Sequence, residues 1–164
     1  GYEDGTENPK GAAAVKAAVS AGQGPGLDGG SFVAAQQWVH NLDTFEAMTA
    51  HKQDHTIGRR KRDNKELGNA PASAHVKRTA QESFNPAAFV LRRSMPWAEA
   101  QRAGLIFVAF GNSFDAFNAL LRRMVGVEDG IVDALFTFTR PLSGSYFWCP
   151  PMKKRHLDLC ALGL

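Results

Sequence analysis

The sequence is poor in cysteine, in net charge and in long apolar runs. Its two cysteines, Cys149 and Cys160, form no CxxC or CxxCH pattern. That spacing excludes a disulfide framework, a zinc knuckle and c-type covalent attachment of a cofactor, and makes a reducing compartment the expectation. No apolar run approaches the roughly 18 residues a membrane span needs, and no charged-then-apolar leader opens the sequence. The expected location is cytoplasmic, with no membrane partner and with an export signal upstream of residue 1 left open. Nineteen basic against 16 acidic side chains give a net charge of only +3. This excess is too slight to argue for nucleic acid over a small anionic cofactor. The 164 residues make one domain, long enough to bury about 70% of the surface its unfolded chain exposes.

What is present begins with "GYEDGTENP" at residues 1–9. Gly1 and Gly5 permit backbone angles closed to other residues, and Asn8-Pro9 starts a turn, so Asp4 sits on a loop of constrained shape. A carboxylate presented in that way is a cap or a working acid/base. Residues 10–30 pass from Ala-rich to Gly/Pro-rich and read as a flexible or ligand-covering loop. "SFVAAQQWV" (31–39) has strand composition, and "NLDTFEAM" after it has helical spacing. A basic, turn-rich stretch covers 57–79.

Strands are then predicted at 86–93, 104–111 and 143–150, with the first two pairing as a hairpin. Between the last two, residues 113–126 form the best-marked helix, with Ser113 as N-cap and Gly126 as C-cap. Its apolar stripe is Phe114, Phe117, Leu121 and Met124. The order β-α-β-β-α-β is that of an α+β ferredoxin-like sandwich, an antiparallel sheet with its helices on one face. The other face then needs a cover from a further domain, a cofactor or another subunit. A basic βαββαβ chain could also be an RNA-binding sheet, but "LIFVAFG" lacks the basic, aromatic start such a strand requires, so nucleic acid is not an expected partner.

Several short motifs together resemble one family. "GYEDG" is similar to the GxxDG motif of the dye-decolourising peroxidases, and "GTENP" to the usual continuation of that motif. "GGSFV" (29–33), "IGR" (57–59), His75, "RRSMP" (92–96) and "FVAFGNSFDAF" (107–117) come in the family's order and approximate spacing. The resemblance covers essentially the whole chain and implies the C-terminal one of two ferredoxin-like domains, with residues 1–30 a distal loop and linker and 31–164 the haem-binding domain. It implies non-covalent haem b, hydrogen peroxide and an aromatic reductant such as a dye or phenol as substrates. It also implies an N-terminal half as partner, a homo-oligomer and, for some relatives, an encapsulating shell.

The resemblance also distributes roles. His75 corresponds to the proximal iron ligand and Asp133 to the carboxylate that receives the other imidazole N–H. Asp4 corresponds to the acid/base that moves a proton between the peroxide oxygens. On a strand, Arg92 and Arg93 face opposite sides, and the family pattern assigns Arg92 to the distal pocket, where a permanent cation stabilises developing negative charge. Ser94 stands where many members carry asparagine, a departure that shortens the side chain's reach. Arg59 corresponds to an arginine on a haem propionate. Leu105 and Phe107 are expected as walls of the distal side, or as plain core. The alternative activity is haem binding for storage, sensing or iron handling without peroxidase turnover.

Overall fold

The computed structural model describes residues 2–3 and 7–164. Asp4 lies outside the described residues. Five strands, three of them long, make the main antiparallel sheet. Strand β1 (Ser31–His40) is central, and after α2 (Leu42–Glu46), α3 (Ala50–Ile57) and α4 (His75–Arg78) the chain returns as β2 (Leu91–Arg92) and β3 (Met95–Glu99). Strand β4 (Arg102–Gly111), helix α5 (Asp115–Met124) and β5 (Thr139–Cys149) come next. The sheet order is β2-β4-β1-β5, with β3 also pairing β4. This is the ferredoxin-like arrangement, in which the two strands adjacent in sequence sit on one side of β1 and the last strand on the other.

Alternation along the strands puts Ala34 and Ala109 on the face that α5 covers. They form one buried cluster with Ala88, Val90, Phe117 and Leu120. The buried face of α5 is Phe117, Leu120 and Met124, so the apolar stripe runs through Leu120, while Phe114 turns aside to pack edge-on against Phe32 and Tyr146. The helix is shorter than its caps suggested. Ser113 Oγ accepts from the Asp115 amide, and Gly126, with φ of +75°, turns the chain two residues past the helix end.

Four elements differ from their sequence expectation for identifiable reasons. Residues 10–30 carry a helix, α1 (Gly11–Ala18), because the alanine run has high intrinsic propensity and can dock: Asn112 N–H, at the end of β4, donates to Ala17 O at 2.8 Å. Strand β5 begins four residues earlier than expected, at Thr139. Pro141 disguised that extension, yet proline is tolerated on an edge strand, and β5 is one, with a register shift beside Trp38. The 86–93 segment is extended but pairs with β4 only at Leu91 and Arg92. Its earlier amides bond instead to Gln81: Ala88 N–H to the backbone oxygen, Val90 N–H to Oε1. Strand β3 continues the same edge past Pro96, where proline again hid it.

Two further helices place the basic segment. Thr49 Oγ1 caps α3 by accepting from Lys52 N–H. Gly58 ends α3 in the left-handed region, φ +92°, and a Cβ there would collide with Val76 Cγ2 in α4. The Gly58→Ala variant is accordingly expected to lose about 2 kcal/mol of stability from combined backbone strain and collision, read as a lowered urea midpoint with unchanged slope. No helix among the described residues is long and apolar enough to cross a membrane.

Candidate functional site

His75 is the first residue of α4, rather than part of an irregular loop, and its partner comes from 58 positions away. The segment after α5 is strung between two backbone anchors: Asp133 N–H donates to Met124 O at 2.8 Å, and Ala134 N–H donates to Ser73 O at 2.7 Å. That suspension sets the Asp133 carboxyl against the start of α4. One of its oxygens accepts from His75 Nδ1 at 2.8 Å and the other from Leu135 N–H at 2.8 Å. The carboxyl group is wholly buried (0% exposed), and both oxygens are satisfied, as burial requires. With Nδ1–H committed to the carboxylate, Nε2 keeps its lone pair, the arrangement found for metal-ligating imidazoles.

His75 lines an apolar cavity of about 250 Å³. The sheet contributes Gln36, Trp38 and His40 from β1 and Leu105 and Phe107 from β4; the helix side contributes Phe117, Leu120 and Leu121. The pairings Gln36 with Phe107 and Trp38 with Leu105 place those side chains on the same sheet face. A slot with one wall a flat sheet and the other a helix suits a flat, mostly apolar guest.

Arg92 lines the same cavity. It pairs with Ala109 in the sheet, and its Nε is buried with no hydrogen-bond partner among the described residues. Such a donor is costly to leave unmet, and an acceptor delivered by a bound guest would satisfy it. Arg93 is exposed and folds its guanidinium back to Arg92 O, on the outside as strand alternation predicts.

The remaining candidates are placed elsewhere. Ser94 lies in the two-residue join between β2 and β3; its Oγ is buried without a partner among the described residues, and it is not among the side chains lining the cavity. Arg59 is also outside the lining. Its Nη1 donates to Asn64 O at 2.9 Å, and its Nη2 is ion-paired with Glu7. The N-terminal loop is anchored at further points: Tyr2 OH donates to Asp54 at 2.7 Å, and burial together with that carboxylate raises the phenol well above its ordinary value.

Sequence reasoning missed His40 and Gln81. The expected strand stopped at residue 39, yet extending the alternation from Ala34 through Gln36 and Trp38 reaches His40. His40 Nδ1 bonds Thr139 Oγ1 at 2.6 Å, and since Thr139 Oγ1 donates to Val39 O, the imidazole Nδ1 is the donor there. Burial lowers its pKa. Gln81 is buried and lines the cavity from a short 3₁₀ turn, with no periodic signal that could have found it.

Among the described residues no group of three or more His, Cys, Asp and Glu side chains is arranged to hold a bare metal ion. An imidazole held by a buried carboxylate with its Nε2 free, in a flat apolar slot, matches instead a metal that brings its own planar ligands. The residues therefore fit haem.

Comparison with known proteins gives the same direction. Residues 1–154 match the family model described as "Dyp-type peroxidase, C-terminal". Curated dye-decolorizing peroxidases of Mycolicibacterium paratuberculosis and Mycobacterium tuberculosis are each 29% identical over 156 residues; the match takes in 92% of this chain but 44% and 47% of theirs. A putative Dyp-type peroxidase of Shewanella oneidensis superposes with TM-score 0.86 at 35% identity, over 92% of this chain and 50% of the other. A DypB variant of Rhodococcus jostii RHA1, solved in complex with haem, gives TM-score 0.84 at 26% identity, over 92% and 51%. The chain thus spans about half the length of the relatives it matches.

Proposed function

Because the chain belongs to the Dyp-type peroxidase family, as its C-terminal domain, we propose that it is the haem-binding half of a peroxidase that reduces hydrogen peroxide and oxidises dyes, phenols or other aromatic donors. The observation that carries the reading is the His75–Asp133 pair lying on the same cavity as Arg92. His75 Nε2 would hold the haem iron, and the buried Asp133 carboxylate holds Nδ1–H, which fixes the ring and would strengthen its donation. Bound haem would supply the two-electron reduction of peroxide and the oxidising power passed on to the aromatic donor.

The Arg92 guanidinium, lining the same cavity as His75, would stabilise negative charge developing on a departing peroxide oxygen. Asp4 is proposed to take the proton from one peroxide oxygen and return it to the other. Leu105 and Phe107, apolar lining residues, would keep water from the cavity. Ser94, off the cavity, is proposed to act only through the bend that carries Arg92. Arg59 reaches a haem propionate only by exchanging Glu7 for it, one carboxylate for another. The face of the sheet opposite α5, which carries Phe147, 55% exposed, is proposed to be covered by the N-terminal half that the longer relatives contain.

The test uses the haem-loaded protein with its N-terminal half. Arg92→Leu is expected to lower kcat/KM for peroxide at least 100-fold while the ferric haem spectrum stays in place. Dye oxidation undiminished in this variant defeats the role given to Arg92, and haem uptake without any dye turnover in the parent protein replaces the peroxidase reading by haem storage or sensing.

A further inference from the structure

Strand β2 is two residues long and lies at the sheet edge. Its β4 side is used by the ladder, including Arg93 N–H to Val108 O at 2.8 Å. Alternation turns the N–H and C=O of Arg92 to the open side, where an edge strand has no partner. Both are nevertheless satisfied: one side chain serves the two, and Arg92 O also accepts from Arg93 Nη1 at 3.0 Å. Asn8 Oδ1 accepts from Arg92 N–H at 2.9 Å, and Asn8 Nδ2 donates to Arg92 O at 3.0 Å.

A primary amide carries a donor and an acceptor at the spacing of a backbone peptide, so Asn8 stands in for a neighbouring strand. Pro9 restricts the Asn8 backbone to extended conformations. A second amide reinforces the contact in the other direction. Gln81, 3% exposed, accepts from Val90 N–H at 2.8 Å and donates through Nε2 to Glu7 O at 3.4 Å. The ion pair of Glu7 with Arg59 fixes the same loop residue from its side chain. Loop 7–8 and segment 90–92 are therefore stitched by two crossing amides, next to the guanidinium that lines the cavity with an unmatched Nε.

We propose that Asn8 is a positioning residue for Arg92: its side-chain amide fixes the backbone from which the cavity cation projects, and ties the N-terminal loop to that cation. The inference rests on the role given to Arg92 above. A two-residue strand that bends directly afterwards at Ser94 has too few ladder bonds to hold its own position. Removing the clamp leaves the iron ligand untouched and frees the cation.

The test has two arms on the full chain. In the haem-free protein, amide hydrogen exchange read residue by residue is expected to be at least tenfold faster at Arg92 in Asn8→Ala, with the Ala109 amide across the ladder within about twofold of the parent. Asn8→Asp, which keeps the acceptor for Arg92 N–H and loses the donor to Arg92 O, is expected to fall between the two and serves alone if the alanine variant fails to fold. In the haem-loaded protein, Asn8→Ala is expected to lose at least tenfold in kcat/KM for peroxide while KM for the aromatic donor and the ferric spectrum stay as they were. Exchange at Arg92 unchanged in both variants, or peroxide and donor constants falling together with the spectrum, overturns the proposal. A parent protein that takes up no haem defeats the peroxidase reading, whereas the exchange arm still decides the clamp.

Discussion

Replacing His75 by alanine is expected to abolish axial ligation of ferric haem and with it peroxidase turnover, a fall in kcat/KM of three orders of magnitude or more against the parent. The other imidazoles are placed differently: His40 lines the cavity from the sheet, its Nδ1 bound to Thr139, His51 and His55 stack on one another along α3, and His156 is exposed and outside the lining. His40 alone shares the cavity, so His75→Ala is compared with His75→Ala/His40→Ala. The fold survives with a moderate loss, because the alanine variant deprives the buried Asp133 of one of two donors while Leu135 N–H remains. Adding free imidazole to the His75→Ala protein is expected to restore part of the ferric spectrum by filling the vacated volume.

Asp133→Asn separates ligation from tautomer control. An asparagine in the same position still accepts from Leu135 N–H only by turning its NH₂ toward His75 Nδ1. The imidazole must then accept at Nδ1 and carry its proton on Nε2, the nitrogen needed for iron. Haem affinity is therefore expected to fall in Asp133→Asn, by 10–100-fold on the scale typical of such partners, although the volume of the side chain is unchanged. A parent-like spectrum and turnover in His75→Ala sink the assignment of the iron ligand; parent-like affinity in Asp133→Asn alone leaves the ligand and removes the role given to the carboxylate.

The parts of the fold legible in the sequence are those where one periodicity dominates. "GLIFVAFG" has no polar residue to compete with a strand, and it lies within β4. Proline and alanine misled for a physical reason: both report local preference, and tertiary context decided. Pro96 and Pro141 sit on strands that need no donor there because each strand is an edge. The Ala-rich segment before β1 became a helix by docking its buried Ala17 and Ala18.

The site was legible in a different way. His75 and Asp133 carry no local signal that joins them, since the pairing depends on backbone bonds from Met124 and Ser73. Only resemblance to a family could pair them in advance. The clamp from Asn8 to Arg92 was hidden for the opposite reason. Asn8-Pro9 has an adequate local explanation as a turn, so nothing in the sequence asked for a further role 84 residues away.

Arg78→Met is expected to lower stability, because it removes a buried guanidinium that ties α4 both to the end of α5 and to the exposed carboxylate of Asp129. Arg78 is 4% exposed. Its Nη1 and Nη2 grip both oxygens of Asp129 at 2.7 and 2.8 Å, while Nε and Nη2 also donate to Arg123 O, near the C-terminal end of α5. That carbonyl is at the negative end of the helix dipole, where a cation is favoured. The same end of α5 holds Asp133 through Met124 O. Arg78 and the Asp133 backbone thus fasten both halves of the His75–Asp133 pair, α4 and the carboxylate loop, to one helix terminus. Haem affinity is expected to fall along with stability in Arg78→Met, although Arg78 does not line the cavity.

The pair also predicts an acid-side signature. The hydrogen bonds from Arg78, then the Ile131 amide, hold the Asp129 carboxyl below its ordinary value. A carboxylate with a depressed folded pKa adds stability that is fully present above its unfolded value, about 4, and is lost as pH falls through the lower folded value. Urea midpoints measured between about pH 6 and pH 2.5 should therefore decline more steeply for the parent than for Arg78→Met. Parallel declines would mean that the guanidinium does not govern Asp129, and a midpoint unchanged at neutral pH would mean that α4 is held to α5 by something other than this clamp.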